Sequence, residues 1–147
     1  MPQTTIALRT FTDSILARLQ TNAEGLSVYD GEAPKGALST LPFTVLAPEL
    51  STELTDDGGT LADPNAHPIM EWQMTSVGRS REQAQWCSDI MRAVLIATPL
   101  TTAGRNVWIV NVGALGQIER DDDVDIGGIT GSLFYANDLV EIPSSPS

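Results

Sequence analysis

The sequence predicts an α+β domain: a mostly antiparallel β-sheet of about four to five strands with two helices packed on one face. Strand-like alternation and helix-like periodicity occur in separate segments of the chain. Turn residues, mainly Gly and Pro, connect these segments, and strands precede and follow one central helix. The predicted order of elements is therefore α-β-β-β-α-β-β. Residues 1–143 are expected to form a single domain, and residues 144–147 a disordered C-terminal tail.

The stretch from 69 to 97 is predicted to be the core on which the other segments dock. Its first part alternates with a period of two, so Met70, Trp72, Met74 and Ser76 share one face of a strand. The odd-numbered residues from 69 to 77 point to the other face. Gly78 ends the strand, because glycine weakens extended structure and permits a tight turn.

A helix of about five turns is predicted to follow this strand. Ser80 is expected to cap it, and Gln83, three residues later, to reach back to the N–H of the cap residue. Pro99 ends the helix. The single cysteine, Cys87, is interpreted as a small core residue. The apolar stripe of the helix consists of Ala84, Cys87, Met91, Val94, Leu95 and Thr98.

The same two signals predict the remaining elements. A first helix is expected to begin at Thr4 or Thr5 and to end near Gln20. Strands are predicted at 26–33, 43–47, 107–112 and 133–142, with Gly or Pro residues near their ends. The first helix has an apolar stripe made of Leu8, Phe11, Ile15 and Leu19.

Two segments, 49–68 and 121–131, have no usable periodicity and are predicted to be irregular acidic loops. The first is longer than connections in compact domains usually are, which is typical of loops that bind partners. Both are candidates for contacts with other proteins, because irregular loops can become ordered on binding. The acidic residues of these predicted partner-contact loops are Glu53, Asp56, Asp57, Asp63, Asp121, Asp122, Asp123 and Asp125.

The charge of the chain argues against nucleic-acid binding. Nineteen acidic residues against eight basic ones give a formal net charge of −11, and Lys35 is the only lysine. A surface this acidic repels phosphate backbones. Most of the arginines fall on or beside the two predicted helices, apart from the acidic segments. This separation suits subunits that meet basic face to acidic face, and a solvated surface explains it equally well.

No catalytic residue, cofactor site or membrane segment is predicted. The chain contains no phosphate-binding glycine loop, no nucleophile elbow and no H-E-x-x-H zinc motif. The only histidine, His67, is interpreted as an exposed side chain in the long loop. No apolar run approaches the roughly 18 residues that span a bilayer, and the N-terminus lacks the pattern of a signal peptide.

The aspartate run contains one candidate metal site. Asp121, Asp123 and Asp125 have the spacing of the first ligands in a calcium-binding loop. The glycine comes one residue late, at Gly127, and Ser132 stands where the loop needs a bidentate Glu. No helix is predicted before the run. A solvated acidic hairpin tip is therefore the favoured interpretation, with calcium binding as the alternative.

Four local sequences occur in a set order along the chain: VYDGEAPKGA at 28–37, PFTVLAPEL at 42–50, VGRSREQAQWCSDIMRAVL at 77–95 and FYANDLVEI at 134–142. Taken together, they resemble the tail terminator proteins of long-tailed bacteriophages, which are also called tail-completion or head–tail joining proteins. The likeness covers about 26–142, and its weight lies in order and spacing because the matching residues are structural.

The resemblance implies a structural virion protein, not an enzyme. Such subunits assemble, usually as hexamers, into a ring at the head–tail interface of the virion, and this assembly takes place in the host cytoplasm. The ring caps the tail tube, ends its polymerisation and offers a docking surface to the head connector, or stopper, protein. DNA passes through the lumen without specific binding, and no membrane is involved. The alternatives are another head–tail neck or minor tail protein and, further away, a small metal-dependent hydrolase.

Overall fold

The computed structural model describes residues 8–34, 36–47, 51–54, 68–97, 100, 105–107, 111–126 and 129–146. Within these ranges the chain forms two helices, α1 (Leu8–Leu19) and α2 (Arg81–Ile96), and one 3₁₀ turn at Ala37–Thr40. The strands are β1 (Ser27–Asp30), β2 (Phe43–Leu46), β3 (Ser51–Leu54), β4 (Pro68–Gly78), β5 (Arg105–Val107), β6 (Asn111–Ala114), β7 (Glu119–Ile126) and β8 (Ile129–Pro146).

The strands form one sheet with the order β1-β2-β4-β8-β5, in which β4 and β8 are the long central pair. Only β1 and β2 run parallel; every other described pair is antiparallel. The strands β2 and β3 share one edge of β4. On the edge of β8 away from β4, β5, β6 and β7 follow one another. The α+β class, the mostly antiparallel sheet and the predicted order of elements are thus confirmed, with further short strands added at both edges.

The predicted core unit has the predicted faces. Met70, Trp72 and Met74 of β4 are fully buried beneath the helices, and Ser76 is buried with them. Trp72 also ties the sheet to α1, because its Nε1 donates a hydrogen bond to Thr12 Oγ1 at 3.0 Å. The helices supply the other half of this core with Phe11, Ile15 and Leu19 from α1 and Ala84, Cys87, Met91 and Leu95 from α2.

The start of α2 follows the predicted capping pattern with one difference. The backbone N–H of Gln83 donates to Ser80 Oγ at 3.1 Å, as expected. The Gln83 side chain, however, accepts from the N–H of Arg79 at 2.7 Å and not from the cap residue itself. Gly78 allows this close return, since a Cβ there would lie 2.6 Å from the backbone N of Ala84. Neither described helix is long and apolar enough to cross a membrane.

Two sequence predictions of irregular loops are wrong where the structure describes them. Residues 121–126 lie in β7 and 129–131 in β8, so the second acidic loop is a β-hairpin. Residues 51–54 of the first predicted loop form β3 against β4.

The predicted disordered tail also differs, because β8 continues through residues 144–146 and pairs there with β5. Ser144 and Ser145 are buried, and Ser144 Oγ accepts a hydrogen bond from Arg105 Nε at 3.0 Å. Residues 144–146 have a composition typical of disordered tails, and pairing with β5 holds them in a strand. The predicted strand at 107–112 is described only at its two ends, in β5 and β6; Trp108, Thr98, Pro99, Thr4 and Thr5 lie outside the described residues.

Candidate assembly surfaces

The side of the sheet away from the helices carries a patch of apolar side chains, here called the open-face patch: Tyr29, Phe43, Val45, Val77, Leu133 and Tyr135. Strand alternation puts them there, because Thr44 and Leu46 of the same strand turn inward. Strand register then joins them, since Phe43 is paired with Val77 and Val77 with Tyr135. The three side chains form one row across β2, β4 and β8.

The open-face patch surrounds a concavity of about 330 Å³. Phe43 lines the concavity, and Tyr29 packs against it edge to face beside the hollow, with ring centroids 5.5 Å apart. The other lining residues are Gly31, Ala33, Leu38, Ala47 and Thr75, and none of the described residues that line the concavity is charged. The patch is therefore an apolar hollow that the two helices, on the other side of the sheet, do not cover.

The rest of the open face is polar. Asn137 Oδ1 accepts hydrogen bonds from Gln73 Nε2 at 3.0 Å and from Thr75 Oγ1 at 2.7 Å. Together with Leu115, Glu119 and Tyr135 these side chains line a shallow cleft of about 410 Å³ beside the patch. Most of this lining consists of neutral hydrogen-bonding groups, with Glu119 as its one charged residue among the described side chains.

The acidic hairpin projects beyond the sheet. On one side of β8, β4 ends where Gly78 is paired with Phe134. On the other side, β7 continues to the pair Ile126 and Ile129. The hairpin formed by β7 and residues 129–133 of β8 is therefore a two-stranded ribbon that no other described strand pairs with.

Part of the hairpin's charge is neutralised locally. Asp122 accepts hydrogen bonds from Ser132 Oγ and Arg120 Nε, both at 2.6 Å, and these bonds lower the pKa of its carboxyl below the usual value. The Arg120 guanidinium also lies over the Phe134 ring, 5.6 Å from the centroid. Asp121 accepts a long hydrogen bond of 3.4 Å from the Tyr135 hydroxyl. The hairpin thus reaches the edge of the open-face patch through Tyr135.

The aspartates with calcium-loop spacing are not in a calcium loop. Asp121, Asp123 and Asp125 all belong to β7, with an irregularity in pairing between Asp121 and Val124. A calcium loop wraps its oxygens around the ion, whereas a paired strand spreads them along its length. Among the described side chains no three His, Cys, Asp or Glu residues are grouped as a metal site would require.

The acidic residues of the first predicted loop are only partly described. Glu53 lies in β3, opposite Ile69 of β4. Asp56, Asp57 and Asp63, together with His67, lie outside the described residues. The two predicted acidic segments border different strands of the sheet, β4 and β8, and the described residues do not bring them together.

The opposite side of the molecule presents an exposed face of α2, here called the α2 ridge: Glu82, Trp86, Asp89 and Ala93. These residues are three or four positions apart and so share the side of the helix that faces solvent. Trp86 is 45% exposed, which is unusual for so large an apolar side chain. Arg79 and Arg81 are exposed at the start of the ridge, and neither forms a salt bridge within the described part of the chain.

Sequence reasoning missed a buried charge beside α2. Asp138 of β8 is fully buried; its carboxylate accepts hydrogen bonds from Ser88 Oγ at 2.5 Å and Arg92 at 2.8 Å. Arg92 also pairs with the exposed Asp89. A signal was present: Asp138 occupies a core-facing position between Ala136 and Val140, where an unpaired carboxylate would be costly. Ser88 and Arg92, four residues apart on one helix face, are the partners it needs.

No protein-family model matches the chain, and no curated protein matches it. A solved structure does: a chain from the "Virion of native gene transfer agent (GTA) particle". That chain has a TM-score of 0.56 and 14% sequence identity, with 90% of this chain and 92% of that chain covered. At this identity the likeness shows a shared fold over nearly the whole length of both chains.

Proposed function

We propose that this protein is a structural, non-enzymatic subunit of a phage-type virion that forms a ring, with six copies expected, on the end of the tail tube. The ring ends tube polymerisation and provides the docking surface for the head connector protein. The proposal rests on one observation: a sequence resemblance and a shared fold both relate this chain to proteins of phage-type virions. The sequence resembles tail terminators over about 26–142, and the fold is shared with a chain from a gene-transfer-agent virion.

The charge of the chain supports this role. A ring through which DNA moves should not retain the DNA, and counterion-releasing contacts between basic side chains and phosphates are what retain it. Of the eight basic residues, Arg9, Arg92 and Arg120 are engaged with carboxylates of their own chain. The chain therefore offers few cations to a passing phosphate backbone.

The projecting acidic hairpin is the element that we assign to the tail tube or to the lumen. It extends past the sheet, so it can reach a neighbouring protein without disturbing the core. Neutralising Asp121, Asp122, Asp123 and Asp125 together, each to Asn, should impair control of tail length. A matched control is Asp13→Asn, an exposed α1 residue far along the chain from the hairpin. Normal tail length in the fourfold variant would contradict the assignment.

The first experiment is the native mass of the purified protein over a range of concentration and magnesium. Six chains of 15.7 kDa would give a closed species of about 94 kDa, as expected for a cyclic oligomer. A stable dimer under all conditions would count most against the ring. If the protein is a monomer in solution, the number of copies bound at the end of a tail tube must be measured instead, because a ring of this kind can close on its tube.

The second experiment separates this role from the runner-up, another neck or minor tail protein, which the shared virion fold supports equally. The tube protein of the same particle is polymerised with and without this protein. A terminator shortens the tubes and appears at one end of each in electron micrographs. A minor tail or connector-side protein leaves the length distribution unchanged, and that result would overturn the terminator role while keeping the virion one.

A further inference from the structure

We infer that the open-face patch of one subunit receives the α2 ridge of a second copy of this chain, in a head-to-tail contact. The inference rests on the proposed function, because it names the two surfaces through which the ring closes.

The patch has the properties of a surface that is covered in the assembled state. Phe43, Val77 and Leu133 form its base and are already buried within the chain at 3–4% exposure, while Val45 and Tyr135 stand half-buried around the hollow. An uncharged concavity of this kind suits a single large apolar side chain, which loses its own contact with water on entering.

The α2 ridge carries such a side chain. Trp86 is 45% exposed, and buried tryptophan supplies a large share of the binding energy at protein interfaces. Its neighbours on the ridge, Glu82, Asp89 and Ala93, are small or polar and leave the indole as the most prominent apolar group. The described part of the chain offers two other exposed large apolar residues, Ile96 and Leu115. Ile96 is the last residue of α2 and Leu115 follows β6, so both lie away from the exposed Arg79 and Arg81 at the start of the helix.

Charge decides between the two ways of pairing two copies. The rim of the patch is acidic, with Glu32 next to the hollow and Glu119 opposite Tyr135, and neither forms a salt bridge among the described residues. A two-fold contact of patch on patch would bring these carboxylates against their own copies, in a chain of net charge −11. The α2 ridge also carries carboxylates, Glu82 and Asp89, but Asp89 is paired with Arg92. The exposed Arg79 and Arg81 beside the start of the ridge offset the charge of Glu82, so this surface meets the acidic rim without excess negative charge.

The placement of the two surfaces fixes the symmetry. The helices lie on one side of the sheet and the patch on the other, so one subunit cannot use both surfaces with the same neighbour. Each copy therefore binds one neighbour through its patch and another through its ridge. A heterologous contact of this kind closes into a ring when the rotation between subunits permits it.

Cross-linking of mixed cysteine variants tests the contact directly. Ala47→Cys lines the hollow and Ala93→Cys lies on the α2 ridge two turns from Trp86, about 10 Å along the helix. A short thiol-to-thiol reagent should join an Ala47→Cys chain to an Ala93→Cys chain in the mixture, and neither variant to itself. A chain with both substitutions should give a ladder that ends at the ring size. The wild-type chain, whose only cysteine is buried, is the blank.

Substitutions then test how much individual side chains contribute to the affinity of the contact. Trp86→Ala should weaken self-association at least about tenfold, because truncating a central aromatic costs more than 1.4 kcal/mol. Ile96→Ala, which truncates another exposed apolar side chain on the same helix, should leave it unchanged. Arg81→Glu should also weaken association, and combining it with Glu32→Arg should restore it. Circular dichroism verifies that each variant is folded.

The outcomes separate this inference from the proposed function. Self-cross-linking of Ala47→Cys, or a cross-linked dimer that never extends, would mean a two-fold contact and would overturn the inference. Two further results would also overturn the inference. One is that Trp86→Ala still forms discrete rings; the other is that the mixed variants cap tail tubes without cross-linking. In either case the proposed ring function would remain. Failure to cap tubes or associate under any condition would remove both.

Discussion

The two faces of β4 differ in what they do for the protein. Met70, Trp72 and Met74 face the helices and are completely buried, while Gln73 and Thr75 between them face the open side and stay in contact with water. Adjacent residues of one strand therefore belong to different environments. The covered face supplies the folding energy, and the open face retains apolar and hydrogen-bonding surface that can contribute to assembly.

The largest test of this difference is Trp72→Ala against Gln73→Ala. The first removes a fully buried indole and its hydrogen bond to Thr12, and should lower the free energy of unfolding by about 3–5 kcal/mol. The second removes two partly buried hydrogen bonds, to Asn137 and Thr75, and should cost about 1–2 kcal/mol. Urea unfolding followed by fluorescence or circular dichroism measures both. Equal losses would show that the open face contributes to stability as much as the covered one.

The next test uses the charge inside the covered face. Arg92→Met leaves the Asp138 carboxylate buried with Ser88 as its remaining partner among the described contacts. The unfolding free energy should fall by about 3 kcal/mol, the lower end for breaking a buried pair, because Arg92 is itself 31% exposed. The control, Asp89→Asn, affects only the exposed partner of Arg92 and should change stability by about 0.5 kcal/mol or less. A cost for Arg92→Met no greater than the control's would mean that the pair does not hold α2 on the sheet.

A smaller effect is expected at the turn that joins β4 to α2. Gly78→Ala places a Cβ 2.6 Å from the backbone N of Ala84, and the first turn of α2 must move to admit it. The expected loss is about 2 kcal/mol, in the range for overpacked sites. Gly113→Ala, in β6 with open space around the added Cβ, is the matched control and should be close to neutral. The midpoints of thermal unfolding of the two variants measure this difference. Equal midpoints would contradict the close approach of residue 78 to the backbone of Ala84.

The smallest effect concerns Tyr135, at the border of the open-face patch. Partial burial raises the pKa of its phenol, and the nearby Asp121 carboxylate raises it further by charge and hydrogen bonding. The fold therefore favours the neutral phenol, and that stabilisation, complete below the ordinary tyrosine pKa, is lost as pH rises through the raised value. The difference in ultraviolet absorbance titration between wild type and Tyr135→Phe isolates this group. Asp121→Asn should move its midpoint down; no movement would mean that the hairpin aspartate does not act on Tyr135.

The covered face is the part that sequence reasoning predicted residue by residue. Its signals are local: alternation from 70 to 76, the cap at Ser80, and helical spacing of Ala84, Cys87 and Leu95. Each follows from a strand or a helix having one side away from water, so the pattern is written within about twenty consecutive residues.

The open face could be predicted only in part. Phe43, Val77 and Leu133 come from strands far apart in sequence, and only their register brings them into one patch. The partners of Asp138 likewise lie on a helix that ends about forty residues earlier in the chain. A contact of this range leaves no periodic signal, although a carboxylate at a core-facing position indicates that some partner exists.

The acidic hairpin and the C-terminal end are segments in which the sequence pattern predicted irregular structure and the fold contains strands. The aspartate run of β7 and the serines of β8 have compositions typical of loops and tails, yet both are strands. The chain by itself determined the class, the order of elements and the helix-covered core, because burial of one face imposes a period on nearby residues. Only the tertiary structure decided the edges of the sheet and the open-face patch, because backbone hydrogen bonds between distant strands hold polar sequences extended without requiring any pattern in them.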